Sequence, residues 1–314
     1  MADRPRIALC LMGPTAAGKT DVALSLAERT DVALVSVDSA MVYRHMDIGT
    51  AKPDAETLAR HPHALVDVRD PVDAFSASDF LEEADQAVRD AFARGRLPVL
   101  VGGTMLYFKA FRDGLSELPA ADDATRTELS ARARETGWGA LHAELRAVDP
   151  VAAARIRPSD PQRIQRALEV FRLTGRPISE WWSTSAGVPV ESRLGCDMVC
   201  AGVGAPREVL ADRVERRFDA MLERGFVEEV SRLRAMPGLD LGKPAMRAVG
   251  YRQMWRHLDG ETDFEAMREA ALSATRQLVR RQMTWLRAWP GLVWAEGTVT
   301  DIADGILRRV PQSA

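Results

Sequence analysis

The chain has 314 residues, enough for two domains or for one large domain carrying an insertion. Apolar residues make up 46% and charged residues 28%, which excludes a disordered or fibrous chain. The formal net charge of −3 excludes a uniformly basic nucleic-acid coat but leaves room for local basic patches. Cys10, Cys196 and Cys200 form no C-x-x-C pair and no zinc-finger spacing, so they read as reduced thiols of a cytoplasmic protein. The early apolar run at residues 7–12 falls far short of the roughly 20 residues of a membrane span. It also falls short of the about 7–15 of a signal-peptide core, so neither membrane insertion nor export is expected.

Residues 7–12 instead predict a short buried strand, ended at once by Gly13-Pro14. Residues 18–28 predict a helix with Val22, Ala23, Leu26 and Ala27 on one face. Strands are expected at 32–37 and 64–68, then a helix over 76–94 that opens on Ser76-Ala77-Ser78-Asp79 and stops at Gly95. A fourth strand at 97–101 ends in Gly102-Gly103, and a further helix begins near Thr104. Short apolar strands alternating with helices predict a parallel, doubly wound α/β sheet. From about Asp122 to Ser185 the pattern is helical throughout, with segments at 124–135, 141–148, 150–155 and 161–174. Strand character returns at 198–203, helices follow at 207–224, 226–236 and 264–289, and a last strand is expected at 292–295. The simplest organisation is an α/β core, residues 1–122 and 188–314, interrupted by a helical insertion at 123–187.

Charge follows the same division. Residues 31–90 hold 13 acids and 5 bases, whereas 155–176 carry six Arg against Asp160 and Glu169. Residues 243–287 hold nine bases and five acids. Two basic stretches on an acidic chain suit either a confined polyanion footprint or solvated helix faces. Arg outnumbers Lys 38 to 4, which an Arg-favouring genome explains; where Lys is kept against that bias, a compact ammonium is expected to serve better than a planar fork.

Gly13-Pro14-Thr15-Ala16-Ala17-Gly18-Lys19-Thr20 fits G-x-x-x-x-G-K-[ST], between an expected strand and an expected helix. Such a loop turns its backbone N–H groups and the helix N-terminus onto phosphate oxygens. Lys19 then neutralises the terminal phosphate, and the Thr20 hydroxyl can ligate Mg²⁺. The motif does not say which phosphorylated ligand is bound, ATP included. Asp38-Ser39 follows the second strand, on the rim where open α/β sheets bind ligands. Asp38 there suits a general base, although the cap of a turn is the commoner part for an Asp in such a place. Gly102-Gly103 lets backbone approach a ligand closely, and Thr104 adds a hydroxyl or a helix cap.

GPTAAGKT, DSAMVYRHMDIGTAKP (38–53), LVDVRDP (65–71), F-S-x-x-D-F (75–80) and VGGTMLY (101–107) together resemble the bacterial tRNA dimethylallyltransferases. The likeness continues through LPAADDATR (118–126), QRIQRALEVFRLTG (162–175), RFDAMLERGFVEEV (217–230), AVGYRQMW (248–255) and RRQMTWLR (280–287). It therefore spans almost the whole chain in one order. The resemblance implies a P-loop NTPase-like parallel sheet core with an inserted all-helical domain. It also implies transfer of a dimethylallyl group from dimethylallyl diphosphate to N6 of the adenosine 3′ of the anticodon. By the same resemblance Asp38 is the base, Thr104 and Arg217 steady the diphosphate, Mg²⁺ assists, and the protein works as a cytoplasmic monomer. Arg213 and Arg216 lie close enough in sequence to compete with Arg217 for that part.

Contact with the anticodon stem-loop falls, by resemblance, to Asp38, Ser39, Ala40, Met41, Thr104, Arg126, Gln162, Arg163, Ile164, Gln165 and Arg166. Arg247, Gly250, Tyr251, Arg280, Arg281 and Arg287 join them. On a helix Arg163 and Arg166 share a face, while Ile164, Leu168 and Phe171 have core spacing. The target adenine must leave its stack to be reached. Two departures stand out: His45 where the family commonly has Gly, and Ala64 where a second His often follows Pro-His. The C-terminal zinc finger of eukaryotic members is absent, so zinc is not implied. The rival readings are a small-molecule P-loop kinase, an adenylate isopentenyltransferase and a non-catalytic tRNA-binding protein. The length and the Arg-rich insertion oppose the first, and intact Lys19, Thr20 and Asp38 oppose the last.

Overall fold

One parallel sheet organises the larger part of the chain. The computed structural model describes residues 6–116, 118–184 and 187–309. Its strands are β1 (Arg6–Met12), β2 (Val32–Val37), β3 (His63–Ala64), β4 (Leu97–Gly102), β5 (Cys196–Val203) and β6 (Val293–Ala295). Their spatial order is β3-β2-β4-β1-β5-β6, every neighbour pair parallel. Central β1 is almost uniformly apolar because both of its faces are covered. Ala8, Cys10 and Met12 enter the core on one face, and Leu9 and Leu11 the core on the other, as the two-residue period of a strand requires.

Strand register builds the rim. Met12 stands opposite Gly102 of β4, and Gly102 also stands opposite Val37 of β2. The three strands end level, so the next residues along the chain, Gly13, Asp38 and Gly103, emerge side by side. Glycine is needed at this closeness: a Cβ on Gly102 would meet the Val37 carbonyl oxygen at 2.1 Å, and one on Gly13 the Val203 oxygen at 2.3 Å.

The expected strand at 64–68 shortens to His63–Ala64. Leu65 and Asp67 take φ of 65° and 57°, left-handed values that break an extended run. Asp67 is held there by the buried Lys52, whose Nζ donates to it at 2.6 Å and also reaches Asp47 at 2.5 Å and the Tyr43 carbonyl at 3.0 Å. His45 has φ of 65°, which explains why glycine suits that position in the resembling sequences. The helix expected at 76–94 forms as Ala77–Ala93 with a reciprocal Ser76–Asp79 capping box. Helices Ala55–Arg60, Tyr251–Leu258 and Val299–Leu307 add to those expected.

Residues 6–112 and 189–309 form the first compact unit, and Asp113–Val188 the second. The second unit thus begins at 113, where the sequence pattern suggested 123. Gly114 and Gly187 bring its two ends together: a Cβ on Gly187 would lie 2.4 Å from the Gly114 carbonyl carbon. Its helices Asp123–Thr136, Trp138–Val148, Pro150–Arg155, Pro161–Thr174 and Ile178–Thr184 enclose Leu129, Leu141, Leu145, Ile164 and Leu168. Asp122, Asp149 and Asp160 cap three of them through their side chains, and Pro150 and Pro161 open two.

Candidate active site

The loop after β1 turns on two left-handed residues, Ala16 with φ 63° and Gly18 with φ 89°. Helix Lys19–Ala27 starts on Gly18 with no side-chain cap, which leaves its first amides for an anion. Lys19 folds back so that Nζ donates to the Pro14 carbonyl at 2.7 Å. The loop is therefore already closed around the place where a phosphate would sit.

A cavity of about 430 Å³ opens above it. Thr15, Lys19 and Thr20 line it from the loop, Asp38 to Met41 and Thr104 from the rim, and Arg217, Gly250, Arg281 and Trp285 from elsewhere in the same unit. Asp38 Oδ1 accepts the amides of Ala40 at 2.8 Å and Met41 at 3.2 Å. The two sequence readings of Asp38 therefore coexist, since the carboxylate caps a turn and still lines the cavity. Thr104 Oγ1 accepts the Ser39 amide at 3.1 Å, linking the loops after β2 and β4. Arg217 donates to Thr15 Oγ1 at 3.4 Å and to the Thr50 carbonyl at 3.3 Å.

The electrostatics favour an anion. Burial, followed by the neighbouring Arg217 guanidinium, lowers Lys19 to a pKa of about 8, with Asp38 opposing the fall. Burial lowers Arg217 as well, again opposed by Asp38. Two crowded cations share one carboxylate, and a bound diphosphate would relieve them. A second cavity of about 670 Å³ shares Lys19, Thr20 and Arg217 and adds Arg213 and Arg224. Arg213 reaches the Ala16 carbonyl only at 3.5 Å, and exposed Arg216 pairs with Asp212, so Arg217 is the innermost of the three. Among the described residues no three His, Cys, Asp or Glu side chains converge as a metal cage. Mg²⁺ needs none, because it takes one or two protein oxygens and completes its shell with phosphates and water. The Thr20 hydroxyl lines the cavity and fits that donor set.

Two residues singled out in the sequence, Tyr251 and Ile164, are fully buried, and three others, Arg126, Gln165 and Arg166, are part exposed but hold partners within the helical unit. Tyr251 is fully buried and donates its hydroxyl to Glu229 at 2.6 Å. Burial and that carboxylate push its phenol well above the usual range. Ile164 is fully buried in the core of the helical unit. Arg126 and Arg166 both grip the buried Glu169, at 2.9 Å and 2.7 Å, and Arg166 also donates to the Pro119 carbonyl at 2.6 Å. Gln165 donates to the Arg126 carbonyl and Ser130 Oγ. Gln162 and Arg163 remain exposed, as do Arg247, Arg280 and Arg287 outside the cavity lining. Sequence reasoning passed over Glu229, whose carboxylate accepts the amides of Asp47, Ile48 and Gly49 at 2.9, 2.7 and 3.1 Å and so fixes the loop behind Thr50. It also passed over Gln282, which accepts the Thr15 amide.

The family model described as IPP transferase matches residues 41–289. A tRNA dimethylallyltransferase of Chromohalobacter salexigens is 52% identical over 314 residues, all of both chains. The tRNA dimethylallyltransferase 2 of Hahella chejuensis is 48% identical, covering 97% of this chain and 95% of that one. The crystal structure of the full-length tRNA isopentenylpyrophosphate transferase from Bacillus halodurans, 35% identical, superposes with a TM-score of 0.69 over 98% of this chain and 97% of that one. A eukaryotic dimethylallyltransferase acting on tRNA, 23% identical, shares the fold with a TM-score of 0.75 over 92% of this chain and 74% of that chain.

Proposed function

The chain belongs to the IPP transferase family and prenylates tRNA, and we propose that its donor is dimethylallyl diphosphate and its acceptor N6 of the adenosine 3′ of the anticodon. The observation that carries this reading is the level ending of β1, β2 and β4. It places the anion loop, Asp38 and Thr104 around one cavity. A kinase reading fails on the family match and on the full-length likeness to tRNA-modifying enzymes.

In this reading residues 13–20, Lys19 above all, bind the diphosphate and stabilise the negative charge that grows as it leaves. Mg²⁺, when bound, spreads that charge further. Arg217 stands beside Thr15 and braces the loop against the leaving group. Asp38 Oδ1 is held by two amides, which leaves Oδ2 to receive the N6 proton as the carbon–nitrogen bond forms. Thr104 steadies Ser39 and with it the Asp38 turn. The extruded adenine enters between Met41, Arg281 and Trp285. Among the described residues no helix is long and apolar enough to cross a membrane. A cytoplasmic monomer suits an enzyme whose acceptor is tRNA.

The test is incubation with labelled dimethylallyl diphosphate, Mg²⁺ and an anticodon stem-loop RNA. Label is expected in the RNA with no ATP present; strict ATP dependence with ADP release would overturn the reading.

Arg163 and Arg166 separate here. Among the described residues the exposed Arg163 pairs only with Asp160, at 3.5 Å, which leaves it able to meet a phosphate. Arg163→Gln is expected to flatten the slope of log tRNA affinity against log salt by about 0.7–0.9, the contribution of one phosphate contact. Arg166→Gln is expected chiefly to lower the melting temperature, because it leaves the buried Glu169 short of a partner. Salt titration and thermal denaturation of both variants decide; an unchanged slope for Arg163→Gln returns it to a solvated helix face.

A further inference from the structure

Gln282 lies on the buried stripe of helix Phe264–Arg287, among Met267, Ala271, Leu272 and Leu286. Both halves of its amide are used. Oε1 accepts the Thr15 amide at 3.0 Å, and Nε2 donates to the Gly103 carbonyl at 3.0 Å. Thr15 belongs to the loop after β1 and Gly103 to the loop after β4. One side chain from a third element therefore ties the two loops together. The contact has a built counterpart, because a Cβ on Gly103 would stand 2.4 Å from Nε2. Glycine at 103 provides the space that the amide occupies.

We infer that Gln282 is a positioning residue for prenyl transfer, holding the phosphate loop and the Thr104 rim at a fixed separation. The inference rests on the reaction proposed above. That reaction joins two partners carried by different loops: the diphosphate lies on residues 13–20, and the acceptor amine lies beside Asp38 and Thr104. Thr104 follows Gly103 directly and accepts the Ser39 amide, so a shift at Gly103 passes to the turn that Asp38 caps. A misplacement of about 1 Å between reacting groups costs on the order of 10²-fold in rate. Glutamine suits the task because it offers one acceptor and one donor at equal reach. Glutamate would set an oxygen against the Gly103 carbonyl, and leucine would satisfy neither group.

The test is a double-mutant cycle of Gln282→Leu and Gly103→Ala, the second of which crowds the amide out of its place. Each single variant is expected to lose roughly 10- to 100-fold in kcat, with KM for the donor and Kd for tRNA within about threefold of wild type. The double variant is expected to lose far less than the product of the two singles, because both changes break the same tie and the Cβ of Gly103→Ala adds only a 3.2 Å approach to the Gly13 carbonyl. Gln282→Asn, too short to span both loops, reads the same loss with polarity kept and serves if the leucine variant does not fold. Losses that multiply in the double variant would overturn the inference. So would a variant whose KM rises while kcat holds, which would make Gln282 a substrate contact. Wild-type transfer measured alongside reports separately on the reaction itself.

Discussion

Asp38→Asn is expected to slow prenyl transfer by about 10²- to 10⁴-fold, the range of general-base catalysis, while tRNA binding stays nearly normal. Asparagine is the informative replacement because the carboxylate has two tasks. Its Oδ1 holds the amides of Ala40 and Met41, and an asparagine oxygen can keep both bonds. What asparagine cannot do is take a proton on the second atom. Asp38→Ala removes the turn bonds as well and is expected to be at least as slow. The carboxylate also supports the charge of Lys19 and Arg217, so its loss should move the alkaline limb of the wild-type pH profile to lower pH. Single-turnover rates with labelled donor, measured across pH, check both effects. An Asn variant within about threefold of wild type would leave Asp38 as a turn cap alone.

The parts of this site that the sequence displays are those whose physics is local. A glycine-bounded loop after an apolar run and before an amphipathic helix needs only a few residues to announce itself, and residues 13–20 stand where that pattern put them. Asp38 and Thr104 were legible as rim residues because strand ends are legible. What decides their proximity is the level register of β1, β2 and β4, a long-range fact that no local pattern carries. Glu229 and Gln282 were passed over for the same reason, since their partners lie about 180 and 267 positions away in the chain. A trace was present in the second case: a neutral amide on an otherwise apolar helix stripe signals a buried polar partner. The strand expected at 64–68 failed because apolar composition does not reveal that Lys52 pins Asp67 in a left-handed turn. The helix Val299–Leu307 was missed although Thr298 and Asp301 spell its capping box. Arg166 was assigned to the anticodon arm, and the buried acid beside it, Glu169 one turn on, was the available sign that it also serves as an internal ion-pair partner.

Replacing Lys19 with methionine is expected to cost about 10²- to 10³-fold in kcat, the usual loss when one preorganised charge at a leaving group is removed. Lys19→Arg is not expected to restore the rate, since the planar fork does not fit where Nζ folds back to the Pro14 carbonyl. The free protein should show the opposite effect on stability. Lys19 titrates near 8 in the folded chain against 10.5 ordinarily, so below about pH 8 it is charged in both states and the fold bears the full cost of that charge. Between about pH 8 and 10.5 the folded chain sheds a proton that the unfolded chain keeps, and the cost is progressively relieved. Lys19→Met should therefore melt higher than wild type at pH 7, and the gap should narrow by pH 10. Added diphosphate should erase the advantage at pH 7, because the anion binds more tightly to, and so stabilises more, the protein that keeps the ammonium. In wild type the same titration predicts that kcat/KM for the donor falls as pH rises through about 8, where the free enzyme loses the ammonium that receives the diphosphate. Melting curves at the two pH values, with and without diphosphate, and a pH–rate profile together test the assignment. A methionine variant that melts below wild type by the same amount at both pH values, or one that keeps its rate, would remove Lys19 from the charge balance of the site.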